Sequence, residues 1–163
     1  MSELITTADA DLVDLATRLR ELRWSWQFSD FAGLAADFGW NMVSTRENRA
    51  RFDCGFGHAS GIARGNAGRV QVMELPVTGF ASQDDAGRDA LNDTFARMTA
   101  ALTAAFGAPT AKLPGTCSEI RWAGPEATLR LIAGSVRINL ALATNGWLAN
   151  NDEAIELERQ GLL

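Results

Sequence analysis

The stretch ATLRLIAGSVRINLALA, Ala127 to Ala143, decides the fold. Its second half alternates strictly: Val136, Ile138, Leu140 and Leu142 fall on one side of an extended chain, Arg137 and Asn139 on the other. A period of two with one apolar face is the pattern of a strand lying on a core. ATLRLIAG reads as the neighbouring strand, and Gly134-Ser135 between them predicts a two-residue hairpin turn with glycine first. Strands joined by hairpins form an antiparallel sheet.

Upstream, SEIRWAG adds a strand whose Ile120 and Trp122 share the core face. Before it, DDAGRDALNDTFARMTAALTAAFG predicts a long helix with Leu91, Phe95, Met98, Leu102 and Phe106 in one stripe. Asp84 and Asp85 stand at its start, Gly107 at its end, and Pro109 prevents it from resuming. Downstream, NGWLANNDEAIELERQG reads as a terminal helix stopped by Gly161.

The first half has the same organisation. Leu12, Leu15, Leu19 and Leu22 mark one helical face; Phe31, Leu34 and Phe38 mark a shorter helix, with Ser29 or Asp30 as its cap and Gly39 as its stop. WNMVST, ARFDCGF, ASGIARG and RVQVMELPV then read as short strands. LAADFGW leads into strands as LTAAFGAP does, and the RF of 51–52 stands where the RW of 121–122 stands. Two copies of a helix-plus-strands unit explain this; two amphipathic helices that each end in glycine explain much of it too. The expected fold is one α+β domain over 1–163, in the order helix, strands, helix, strands, helix. An antiparallel sheet carries helices on one face, with the 91–106 helix lying across it.

A net charge of −5 with arginines scattered among acids argues against a nucleic-acid module and suits a basic protein partner. No apolar run is long enough to span a bilayer, and the acidic N-terminus does not read as a signal peptide, so a cytoplasmic location is expected. The two cysteines and one histidine fit no zinc pattern, and no metal is expected. GFGHASG departs from the dinucleotide fingerprint, and the sole lysine, Lys112, belongs to no phosphate loop, so no cofactor is expected.

RFDCGFGHASG holds the ingredients of covalent catalysis: Cys54, His58 and Ser60. In a continuous strand Cys54 and His58 would lie roughly 13 Å apart, and only a tight bend at Gly55–Gly57 would join them. A small buried thiol and a solvent-facing histidine account for the same letters. Trp24 and Trp26 in RWSWQF would point to opposite sides if extended; they either cover helix ends or serve as interface anchors.

LTAAFGAPTAKLPGTCSEIRWAGPEATLRLIAGSVRINLAL, with LAADFGW and FDCGFGHASGIARGN, resembles a family of uncharacterised actinobacterial proteins, a domain of unknown function. The resemblance covers most of the chain and carries no catalytic residues. In architecture the chain is also similar to class I secretion chaperones and YbjN-like proteins, and in size and character to immunity proteins of bacterial toxins. The expected function is therefore a protein-binding module, an immunity protein or chaperone-like partner of a co-encoded protein, monomeric or homodimeric, and not an enzyme. Its expected partner-binding residues are Trp24, Trp26, Asp84, Asp85, Trp147, Asp152, Glu153 and Glu156. The alternative is a hydrolase or transferase using Cys54, His58 and Ser60.

Overall fold

The computed structural model describes residues 3–162. Helices α1 (Asp9–Arg20) and α2 (Phe28–Phe38) precede strands β1 (Asn41–Arg46), β2 (Arg49–Asp53), β3 (Gly61–Asn66) and β4 (Arg69–Pro76). Helix α3 (Asp85–Phe106) then leads into β5 (Ala111–Leu113), β6 (Glu119–Ala123), β7 (Ala127–Ala133) and β8 (Ile138–Thr144), and α4 (Asn145–Arg159) follows. All eight strands form one antiparallel sheet in the order β1-β2-β3-β4-β8-β7-β6-β5. The fold is α+β, as the alternation at 127–143 requires.

The sheet is two four-strand meanders joined where β4 pairs with β8, from Val72↔Ala143 to Pro76↔Asn139. Each meander follows a helix that ends in glycine, so the chain repeats a helix-plus-four-strands unit at the level of topology. Strand β5 lay hidden in the sequence because Ala-Lys-Leu is too short to show a period.

One face of the sheet carries the main core. Phe52, Met73, Leu75, Trp122, Leu129, Leu131, Ile138, Leu140 and Leu142 meet Leu12 and Leu19 of α1, Phe31 of α2, and Leu91, Met98 and Leu102 of α3. Each such side chain, fully buried, contributes roughly 1.5–3 kcal/mol before entropy is counted. Gly39 closes α2 at φ 76°, a left-handed turn that glycine adopts without strain. Gly61 is required for packing: a Cβ there would stand 2.2 Å from the Phe52 ring.

The cap of α2 differs from expectation. The helix begins at Phe28 after Gln27, two or three residues earlier than a Ser29 or Asp30 cap allows, because Phe28 N–H bonds to Gly68 O at 3.0 Å and ties the entry to the β3–β4 turn. Asp84 does cap α3, accepting from Gly87 N–H at 2.8 Å. The β7–β8 turn also falls one residue later than predicted. Gly134 N–H bonds to Arg137 O at 2.9 Å, placing Ser135 and Val136 at the tip, and Gly134 keeps a φ outside the left-handed range. Pairing Leu131 with Leu140 and Leu129 with Leu142 buries all four, and that register overrides the local turn preference.

Helices α1 to α3 cover the core face as expected; α4 returns onto the opposite face. There Leu148 and Trp147 pack on Val72 and Ala143, a second and smaller cluster. The alternation Leu140-Ala141-Leu142-Ala143 explains the arrangement: the leucines fill the main core, and the alanines leave room for a helix on the far side.

Candidate functional site

The Cys54 loop is resolved first by its turns. Gly55 and Gly57 take φ 111° and 121°, so the chain bends between β2 and β3 as a reactive pairing would need. The bend brings Cys54 Sγ to Ser60 Oγ at 3.6 Å, with Pro76 O at 4.0 Å. Burial pushes the thiol pKa up, which keeps it protonated at neutral pH and weak as a nucleophile. His58 is exposed and, among the described residues, makes no side-chain hydrogen bond. Thiol and hydroxyl meet; the imidazole has not joined them.

Chemistry of another kind is found on the outer sheet face, opposite the main core. On β6 and β7 the alternation that buries Trp122 and Leu129 sends Glu119, Arg121 and Arg130 outward. Glu119 accepts from Arg130 Nη2 at 2.8 Å and Nε at 3.0 Å, and its Oε2 also accepts from Arg121 Nε. Arg121 then forks onto Asp152 of α4 at 2.7 and 2.8 Å. Arg130 and Arg121 are direct cross-strand neighbours, and Glu119 neutralises the repulsion between them. Burial alone would raise the Glu119 pKa, but bonds from Arg130 and Arg121 outweigh it and hold the carboxyl below its ordinary range. The Arg121 fork lowers that of Asp152 against a smaller effect of burial.

On the other half of this face the arginines lack such partners. Arg46 pairs across strands with Arg49, and Arg49 with Arg64. All three are exposed. Arg64 reaches Glu74 only at 3.9 Å, Arg51 bonds the Ala59 carbonyl at 3.5 Å, and Arg46 and Arg49 form no ion pair among the described residues. Scattered in sequence, these arginines form a patch because strand pairing stacks them.

Between the two halves, at the end of the sheet where β8 turns into α4, lies a cleft of about 730 Å³. Trp24, Trp26 and Trp147 line it together with Arg69, Glu126 and Asn150. The α1–α2 linker is held there because Val70 N–H bonds to Trp26 O at 2.7 Å, in a place beside β4 that β8 has already left. Contrary to the extended reading, Trp24 and Trp26 do not diverge. Trp26 has φ 59°, the chain turns, and the two rings lie 5.3 Å apart. Trp26 is buried and Trp24 half-buried; the Trp24 Nε1 is buried without a hydrogen-bond partner among the described residues. Arg64 and Arg130 stand 5.6 and 5.8 Å from the centroid of the Trp147 ring, so this indole joins the cleft to both halves of the charged face.

The acids singled out in the sequence have separate fates. Asp84 accepts from Ser82 and Gly87, which lower its pKa, and Asp85 pairs with Arg88 one turn on. Asp152 is bound to Arg121, Glu153 faces solvent on α4, and Glu156, also exposed, pairs with Arg159 at 3.5 Å and accepts from Gln160 at 2.9 Å. Sequence reasoning missed Glu119, Arg121, Arg130 and Arg64 as a set, although the alternation in EIRW and TLRLI already placed the charges opposite the core. Among the described residues no group of acids, cysteines and histidine could hold a metal ion, and no helix is long and apolar enough to cross a membrane.

Fold and site together define an α+β protein with one sheet, roofed on its core face and half-covered on its charged one. The chain belongs to a family of unknown function, DUF6301, whose model matches residues 10–144. The match spans α1 to the end of β8. No curated protein and no solved structure matches the chain.

Proposed function

We propose that this chain is a protein-binding module, an immunity protein or secretion-chaperone-like partner of a co-encoded bacterial protein. The observation that carries the reading is the convergence of Trp24, Trp26 and Trp147, distant in sequence, on one open cleft with a polar rim. Large, rigid indoles beside arginine are the side chains that anchor protein interfaces. An apolar or planar side chain of the partner would enter the cleft, and the outward Glu153 and Glu156 of α4 would meet basic groups around it. Binding there blocks or holds the partner by steric cover, and needs no turnover.

The arginine-rich, lysine-poor composition suits an actinobacterial source, and the helix-and-strand order is similar to that of class I secretion and YbjN-like chaperones; both support a cytoplasmic role beside a co-encoded protein. Co-expression with the neighbouring gene product tests the reading. A complex should co-elute, and Trp147→Ala should weaken it by about 30-fold or more, the effect of losing an anchor worth ~2 kcal/mol. An affinity unchanged by Trp147→Ala and by Glu153→Ala with Glu156→Ala rejects this surface. The alternative hydrolase or transferase draws support from the Cys54–Ser60 contact alone, and the raised thiol pKa weighs against it.

A further inference from the structure

The two halves of the outer face place the same residue type in corresponding positions and complete only one. Arg51 and Arg121 each precede the aromatic, Phe52 or Trp122, that enters the core from the second strand of its meander. Two residues earlier the second half has Glu119, which bonds both Arg121 and Arg130. The first half has Arg49 at that place, directly opposite Arg64 on one side and Arg46 on the other. Like charges set directly across a sheet are destabilising, so this row of three is a cost to the fold that an external anion would remove.

We propose that the open outer face of β1–β3 docks an acidic protein segment, whose carboxylates lie between Arg49 and Arg64 as that of Glu119 lies between Arg121 and Arg130. The inference rests on the reading of the chain as a protein-binding module and names the partner chemistry for the surface beside its cleft. Guanidinium groups take carboxylates through paired N–H bonds, and the covered half displays that geometry on the same sheet. Of the acids on this half, Asp53 accepts from Gly55 N–H at 2.8 Å and Glu74 from Asn139 at 2.9 Å, and Glu47, exposed in the β1–β2 turn, forms no ion pair with these arginines among the described residues. A nucleic acid is the less favoured occupant. The patch is local on a chain of net charge −5, the outward residues of β1 to β3 include no aromatic on which a base would stack, and Trp147, the indole beside Arg64, is itself packed on the Val72 and Ala143 cluster.

The test uses the full chain and a fluorescent glutamate-rich peptide, read by anisotropy at low ionic strength. The peptide should bind, and the double variant Arg49→Glu with Arg64→Glu should weaken it by about tenfold or more, since like charges facing across an interface are strongly penalised. Lys112→Glu, at the opposite edge of the sheet, should leave binding unchanged. Thermal melts of each variant show whether the fold is kept, and Arg49→Gln with Arg64→Gln serves if the reversal unfolds it. No binding by the wild-type chain, or equal binding by the reversed one, overturns the proposal. Tighter binding of an oligothymidylate of the same charge, lost in the same variant, overturns it in favour of nucleic acid. Should the co-encoded partner bind the Arg49→Glu, Arg64→Glu chain as tightly as wild type yet lose affinity for Trp147→Ala, this inference fails and the module reading stands.

Discussion

The outer face carries arginines on both meanders, and their surroundings separate them. Arg121 and Arg130 sit under α4, bonded to Glu119 and Asp152; Arg46, Arg49 and Arg64 face water with one loose ion pair between them. What differs is coverage. A helix laid on charged strands excludes water, and each cation beneath it then needs a carboxylate, since an unpaired buried charge costs several kcal/mol. Where no helix lies, water solvates the guanidinium groups and no such demand arises. The same residue type is structural on one half and available for binding on the other.

Breaking the covered half should have the largest effect. Glu119→Ala leaves the buried Arg130 without a carboxylate and Arg121 with Asp152 alone, and should cost about 3–5 kcal/mol in urea denaturation. Leu148→Ala removes the apolar anchor of α4 and should cost about 2–3 kcal/mol by the same measurement. Asp152→Ala should cost only about 1 kcal/mol, because its carboxylate is partly exposed and Arg121 retains Glu119. The open half gives the contrast: Arg49→Ala should fall within about 0.5 kcal/mol of wild type, with any change towards higher stability as cross-strand repulsion is relieved. A loss above 2 kcal/mol there would show that the halves do not differ as described.

Acid sharpens the comparison further. Glu119 and Asp152 have folded pKa values below their ordinary ones. Their contribution is therefore complete above the ordinary carboxylate range near pH ~4 and is lost as pH falls through the lower folded values. Urea midpoints taken across that range should decline more steeply for wild type than for the Asp152→Ala chain. The arginines of the open half do not titrate there and should add nothing to the slope.

Much of the architecture was legible because periodicity is a local property. Leu12 to Leu19, Leu91 to Leu102 and Ile138 to Leu142 announce their faces by spacing alone, and Gly39 and Asp84 mark helix ends through short-range chemistry. The three tryptophans were singled out by residue type, with covering of helix ends as the other reading for Trp24 and Trp26. Their meeting was not, since it depends on the left-handed turn at Trp26 and on where β8 leaves the sheet.

From its letters alone this chain determined which residues face a core and that the strands pair antiparallel; whether the bend at Gly55–Gly57 joins His58 to Cys54 was left to the tertiary structure. Tertiary structure decided which charges are neutralised and which are free. Glu119, Arg121 and Arg130 are brought together by strand register, and Arg49 and Arg64 by the same rule 15 residues apart. Register and helix placement are set by the burial of apolar side chains across the whole sheet, so the neighbours of a given arginine cannot be read from its position in the chain.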